Sequence, residues 1–458
     1  MPSLLILKHF RIVDEHTDRE GSIVVKDGLI DAVMDDAVTD NAAIPDAALV
    51  IDGNGFPGGR PVLMPAFVDL HAHFRDPGCP AGTGFPSENG FPSENGFPSE
   101  SLESAAMAAA AGGYGTVVCM ANTRPPIDTP EKALVLRERC RVLGLIDLYP
   151  VLSLTKNMEG RELSAVTALA PASFVRMLSE DGRDIGDDRL FLAAMGEARR
   201  LGLPVSCHCD FGGPEAEAAK RAGQPRAVWS RIEERHAVRR VIALGKEAGC
   251  HIHIAHVSTK ETVELIGKAR AEPAGNGGGG AAGFLLTCEA TPHHIALTEA
   301  DADAMGAESY GRVNPPLRGE ADRRALAAAL AGGLIDAVAT DHAPHTAADK
   351  ERGAPGFAGL ETSFGLCYRE LVLPGILSLS RLSALMSANP ARILGLGADR
   401  GRVAPGRRAD LVVVDTGAEW SVDPAAFKSR GGNSAFRGQK LRGRVVMTMH
   451  QGRIVFDG

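Results

Sequence analysis

Through the middle of the chain, short apolar runs alternate with longer stretches of mixed polarity. The apolar runs fall at residues 66–70, 116–120, 148–152, 174–178, 204–207, 251–255, 284–288 and 335–339. Their length and composition are those of strands buried on both faces. Between most of them lie Ala-, Leu-, Glu- and Arg-rich stretches of helical character, at 101–111, 131–143, 188–201, 227–248 and 321–331. Eight strands separated by helices predict a parallel (β/α)8 barrel of the TIM type. An open doubly wound sheet would carry a glycine-rich phosphate loop at its switch point, and the sequence offers none.

The ends follow a different rhythm. Short strand-like runs occur at 3–7, at 22–25, and at 29–33 after an Asp27-Gly28 turn. The same pattern returns at 410–415, 445–450, and 453–456 after a Gln451-Gly452 turn. The pattern predicts a composite β-sandwich domain from residues 1–60 and 402–458, around a barrel domain of residues 61–401. One segment fits neither pattern. Gly84-Phe-Pro-Ser-Glu-Asn repeats from Gly90, and a truncated third copy runs from Gly96 to Glu100. Glycine and proline in every unit exclude a regular helix, and three short copies cannot form a solenoid. The insertion at 84–100 reads as a surface loop after the first barrel strand; a flap over the barrel mouth is the alternative.

Composition narrows the function classes. The formal net charge of -8 gives no electrostatic help in binding nucleic acid. No apolar run is long enough to span a bilayer, and the first ten residues lack a secretory leader pattern; a cytoplasmic location is the expectation. Eight scattered cysteines do not suggest a disulfide framework. Cys207 and Cys209 flank His208 on a strand, so they share one face and His208 takes the other.

The chemistry gathers where the strands stop. His71 and His73 end the first strand, and a period of two puts both on one side. His208 closes the fifth strand, His256 the sixth and Asp341 the eighth. In a barrel those ends share one rim, where active sites sit. Four imidazoles and a carboxylate suit zinc, although manganese or iron would also be accommodated. Five such ligands exceed the need of one open zinc site, so two cations and an anionic bridge between them are expected. The fourth strand ends in Glu180-Asp181, and either carboxylate could be that bridge. His251 and His253, at the opposite parity to His256, are expected to face the surrounding helices. His293, His294 and His342 are candidates for orienting ligands, and His450 is read as structural.

Six motifs in order carry a family resemblance. They are His71-Ala-His-Phe-Arg-Asp-Pro-Gly78, Asn122-Thr-Arg-Pro, His256-Val-Ser-Thr-Lys-Glu, Thr291-Pro-His-His, Asn314-Pro-Pro-Leu-Arg and Thr340-Asp-His-Ala-Pro-His345. Together they resemble the long bacterial dihydroorotases of the amidohydrolase superfamily, from about residue 65 to 390. The resemblance implies two zinc ions per subunit, bridged by Asp181 and a hydroxide. His71, His73 and Asp341 would hold one ion, and His208 and His256 the other. It also implies Asp341 as the catalytic acid and base. Arg75, Asn122 and His345 would bind a substrate carboxylate, Asn314 a ring amide, and Pro355 and Gly356 would offer backbone contacts. A homo-oligomer, dimer or tetramer, and an association with aspartate carbamoyltransferase are further expectations. Two other readings compete: a hydantoinase- or allantoinase-like cyclic amidohydrolase, and an inactive dihydroorotase-like partner of the carbamoyltransferase. The carboxylate clamp argues against the first and the retained ligand set against the second.

Overall fold

The barrel strands, in chain order, are β1 (Phe67–Ala72), β2 (Tyr114–Cys119), β3 (Asp147–Pro150), β4 (Leu178–Ser179), β5 (Val205–Cys207), β6 (His251–Ile254), β7 (Leu285–Ala290) and β8 (Ala337–Val338). The computed structural model describes residues 4–41, 45, 48–56, 61–76, 99–171, 173–272 and 283–458. Strands β1 to β3 pair in parallel, as do β4 to β8. Parallel bridges Leu152–Leu178 and Ala72–His342 join the two arcs, so the eight strands close. The ladders of β4 and β8 are only two residues long, because the chain turns away to deliver Asp181 and Asp341 to the rim.

The helices begin and end where local chemistry dictates. Ser101 caps Leu102–Ala111 with a capping box, Thr129 precedes Pro130 at the start of Pro130–Leu143, and Asp187 caps Asp188–Leu201. Gly144, Gly202 and Gly249 terminate helices with positive φ. Asp188–Leu201 turns Phe191, Ala194, Met195, Ala198 and Leu201 inward, one stripe of an amphipathic helix. The helix Lys260–Ala271 was not separately expected; it follows β6 and covers the barrel there. Among the described residues, no helix is long and apolar enough to cross a membrane.

Strands from both ends meet in one sheet. Leu4–Val13, Asp18–Lys26 and Leu29–Met34 come from one end, and Leu411–Ser421, Lys440–His450 and Arg453–Asp457 from the other. Val62–Pro65 lies between the two sets, pairing with Leu4–Val13 on one side and Leu411–Ser421 on the other. The strand just beyond residue 60 therefore belongs, by its pairing, to the terminal sheet. With Leu49–Asp52 the array has eight strands. It encloses its own core, including Leu7, Phe10, Ile12, Ile23, Leu63, Leu411, Val413 and Met447. At its junction with the barrel, Arg408 meets Asp147 at 2.7 Å and Asp410 at 3.0 Å, and Arg400 meets Asp147 at 3.0 Å. His450 completes this cluster, which two guanidinium groups already neutralise, so it ties sheet to barrel and has no need of a cation.

The hexapeptide insertion lies outside the described residues up to residue 98. Its last two residues are anchored. Ser99 Oγ donates to the Pro344 carbonyl at 2.9 Å, and Glu100, fully buried, accepts from the hydroxyls of Ser104 and Ser429.

Candidate metal and substrate site

At the carboxyl end of the barrel, imidazoles and carboxylates from five strands converge. His71 lies on β1 and is buried, with His73 one step beyond the strand. The His71 Nε2 lies 3.3 Å from Asp181 Oδ1, and His73 Nε2 lies 3.6 Å from Asp181 Oδ2 and 3.1 Å from Asp341 Oδ1. On the other side of Asp181, His208 Nδ1 approaches at 3.5 Å and faces His256 Nε2 at 2.6 Å. The ligand atoms of His71, His73 and Asp181 all lie within 4.8 Å of one another, as do those of Asp181, His208 and His256. Asp181 belongs to both groups. Glu180 does not: its carboxylate accepts from the Leu154 and Thr155 backbone N–H groups at 2.9 and 3.0 Å and from the Thr155 hydroxyl.

Backbone strain marks the same rim. Arg75, His256 and Asp341 have φ of 56°, 31° and 46°, unusual for residues with side chains. These left-handed turns aim the side chains across the mouth as each strand ends.

The donor set fits a metal. His71 Nδ1 is taken by Glu289 at 3.1 Å, and its buried Nε2 has no hydrogen-bond partner among the described residues. Burial alone would hold His208 neutral, yet Asp210 and Asp181 draw it up to about 9. Burial opposes ionisation of Asp181 as well, but the surrounding histidines, His71 foremost, hold it well below the usual carboxylate range. An ionised Asp181 shared by imidazoles on both sides is a setting that a divalent cation can occupy. Neutral imidazoles and carboxylates at this spacing are the ligands that a divalent transition metal takes.

The residues expected to hold substrate line the same cleft. His73, Arg75, Asn122, Asp181, His208, His256, Asn314, Asp341, Pro355 and Gly356 all border it. His71 lies beneath, and His345 stands at the edge, 3.5 Å from Arg75 Nη2 and 2.9 Å from the Pro355 carbonyl. Burial, then Arg75 and Lys350, keep the His345 ring well below its ordinary value, so it is neutral. Asn122 also has work among the ligands: its Oδ1 accepts from His73 Nδ1 at 2.9 Å and its Nδ2 donates to Asp181 at 3.2 Å. Asn314 accepts from Arg226 through Oδ1, which leaves its amide hydrogens to the cleft.

Several partners escaped the sequence reading. Asp210 lies 2.6 Å from His208 Nε2 and fixes that ring from behind. Asn433, far along the chain, binds the loops that carry His345 and Gly356. His251 and His253 do not face the helices. They point into the barrel, where both bond to Thr287 and His253 also bonds to Glu289. The strand ends at Ile254 and His256 has left-handed backbone, so parity counted through His256 is inverted. His294 braces the cis Asn314-Pro315 loop through the Pro315 carbonyl at 3.0 Å.

A barrel mouth that shares one carboxylate between two groups of imidazoles is that of a metal-dependent hydrolase. The chain belongs to the amidohydrolase family, which it matches over residues 62–455. Its curated relatives include the dihydroorotase of Clostridium botulinum, 35% identical over 452 residues and covering 99% of both chains. The dihydroorotase of Mycobacterium tuberculosis is 36% identical over 440 residues, covering 93% of this chain and 94% of that one. Within the family, the chain's place is with the dihydroorotases. Among solved structures it is similar to the L-hydantoinase (dihydropyrimidinase) of Arthrobacter aurescens, with a TM-score of 0.78 and 26% identity over 99% of this chain and 96% of that one. A dihydropyrimidinase from Brevibacillus agri, at 19% identity and a TM-score of 0.77, shares the fold over 99% of this chain and 95% of that one.

Proposed function

We propose that the protein hydrolyses the cyclic amide of (S)-dihydroorotate reversibly to N-carbamoyl-L-aspartate, the ring-closing direction serving de novo pyrimidine (UMP) biosynthesis. The observation that carries this reading is the cationic Arg75, with neutral His345, beside the double ligand group. Arg75 presents a planar fork suited to a carboxylate, which dihydroorotate has and a simple hydantoin lacks. Zinc is the proposed metal, two ions per subunit. His71, His73 and Asp341 would hold one, His208 and His256 the other, and Asp181 would lie between them. Bound there, the metal polarises a carbonyl and makes water nucleophilic near neutral pH.

The chain's own groups do the rest. Arg75, His345 and the second amide hydrogen of Asn122 hold the substrate carboxylate. Asn314 meets the ring amide, and the Pro355 carbonyl, which His345 Nε2 reaches at 2.9 Å, keeps a second lone pair for the substrate. The Gly356 N–H and carbonyl, by contrast, are taken by Arg312, Lys350 and Asn433. Asp341 takes a proton from the attacking water and returns it to the departing ring nitrogen. In reverse, ring closure consumes a carboxylate and a proton, so lower pH favours synthesis. A cytoplasmic location, a dimeric or tetrameric assembly and contact with aspartate carbamoyltransferase accompany this reading.

The test compares turnover of dihydroorotate, allantoin and a hydantoin, before and after exhaustive chelation and again with zinc restored. Dihydroorotate should be preferred, lost on chelation and regained with zinc. Equal turnover after chelation, or preference for a substrate without a carboxylate, refutes the proposal.

A further inference from the structure

Beneath the ligand groups, a chain of polar side chains runs down the inside of the barrel. It starts at His71, whose Nδ1 meets Glu289 Oε1 at 3.1 Å. Glu289 Oε2 meets His253 Nε2, also at 3.1 Å, and both residues are wholly buried. His253 Nδ1 then meets Thr287 Oγ1 at 2.9 Å, and the same hydroxyl meets His251 Nε2 at 2.8 Å. His251 lines a cavity at the opposite end of the barrel.

The chemistry of these groups fixes the direction of the first bonds. A carboxylate only accepts, so both ring nitrogens facing Glu289 carry hydrogen. A hydrogen on His71 Nδ1 leaves Nε2 as the lone-pair nitrogen, the one that faces Asp181 at 3.3 Å. Glu289 therefore selects the tautomer that can ligate, and His253 and Thr287 hold Glu289 in place. Buried acceptors beneath a ligand histidine both orient the ring and raise its basicity.

Resting on the proposed metal function, we propose that Glu289 is the positioning residue of the metal centre, with His253 and Thr287 as its support. None of the three touches substrate; they act through His71.

The test is zinc retention by the full-length protein against a chelator of known affinity. Visible spectra of the cobalt-substituted protein are read alongside. Glu289→Gln keeps the shape of the side chain, but its amide can accept from only one ring. If its NH2 faces His71, the ring must place its hydrogen on Nε2 and cease to ligate. Glu289→Gln should surrender one zinc about 10- to 100-fold more readily, and change the cobalt spectrum, with little shift in thermal midpoint. Thr287→Val should move retention the same way by less, and Thr287→Ser, which keeps the hydroxyl, should restore it. Wild-type retention in Glu289→Gln overturns the proposal. Should that variant fail to fold, Thr287→Val with retention equal to Thr287→Ser overturns it instead. A wild-type protein that binds no zinc removes the functional reading itself, and this inference with it.

Discussion

Asn433 is the residue whose loss should separate substrate binding from metal binding. It is 1% exposed, and its side chain makes three hydrogen bonds to the backbone of the segment that follows β8. Its Oδ1 accepts from the His345 N–H at 2.9 Å, and its Nδ2 donates to the Ala343 and Gly356 carbonyls at 2.9 and 3.0 Å. In Asn433→Ala the Gly356 carbonyl keeps a second donor, Lys350 Nζ at 2.9 Å. The His345 N–H and the Ala343 carbonyl lose the side chain that served them. Two buried backbone groups left unsatisfied cost about 1–3 kcal/mol each, so a loss of about 2–6 kcal/mol is expected by denaturant titration. The loops released carry His345 and Gly356, so the KM for dihydroorotate should rise about tenfold, a change of about 1.4 kcal/mol. Metal content should not change, because no ligand lies on these loops beyond Asp341. Asn433→Asp keeps the acceptor for His345 but sets a buried carboxylate oxygen against the Ala343 and Gly356 carbonyls, so it should cost at least as much stability as Asn433→Ala. Unchanged unfolding and unchanged KM in Asn433→Ala would refute this account of the rim.

The remaining predictions address the chemistry and its pH dependence. Asp341→Asn should fold normally by circular dichroism yet lose turnover in both directions; substantial residual activity removes Asp341 as the acid and base. Arg75→Ala should raise KM about 10- to 100-fold, the worth of a charged hydrogen bond at about 1.5–3 kcal/mol, and Arg75→Lys should restore only part of it, lacking the planar fork. An unchanged KM in Arg75→Ala dismisses its role. Burial raises the Glu361 carboxyl to about 7, against the backbone N–H groups of Lys428 and Ser429 that favour its charge. The folded protein then holds a proton that the unfolded chain releases near the ordinary 4.5. Its contribution to stability is full below that pH and is lost as pH rises through about 7. Glu361→Gln should flatten the slope of stability between those limits, and an unaltered slope in denaturant midpoints counts against the assignment.

Much of this was legible in the sequence because a barrel has few ways to present chemistry. Strand ends mark the rim, so His71, His73, His208, His256 and Asp341 could be gathered without knowing any angle between strands. Helix limits were equally readable, since Thr129 with Pro130 and the glycines at 144, 202 and 249 act within a turn of their own position. What stayed hidden depends on contacts between distant segments. Glu289 is an acidic residue in an otherwise apolar run, and only the meeting of β1, β6 and β7 shows what it accepts from. Asn433 lies 88 residues from His345 and has no periodic pattern to announce it. His251 and His253 were misplaced because alternation holds only while the chain remains a strand, and it stops at Ile254. The edge of the terminal sheet had a similar cause: Val62–Pro65 is apolar at every position, as a barrel strand would be, and only its partners assign it.

Hydrogen-bond supply also distinguishes the buried carboxylates at this end of the barrel, where sequence position does not. Asp69 accepts from the Thr340 N–H at 2.9 Å and the Thr340 hydroxyl, and it pins β1 to the end of β8. Glu180 has two backbone donors and a hydroxyl, and it braces the chain after β3. Glu289 is shared by two imidazoles. Each of these groups has protein donors, the condition for burying it, although burial still raises Asp69 to about 7 and Glu180 above its ordinary value. Asp181 differs: one amide hydrogen of Asn122 reaches it at 3.2 Å, and its other neighbours are the imidazoles of His71, His73 and His208. Those rings can serve as donors to Asp181 only when they carry hydrogen on the nitrogens that face it, and a ring so protonated cannot ligate. Proton and metal therefore compete for the same ring nitrogens, and Asp181 stays ionised beside whichever cation they hold. That competition, rather than the count of histidines, is the physical reason to read this rim as a metal centre.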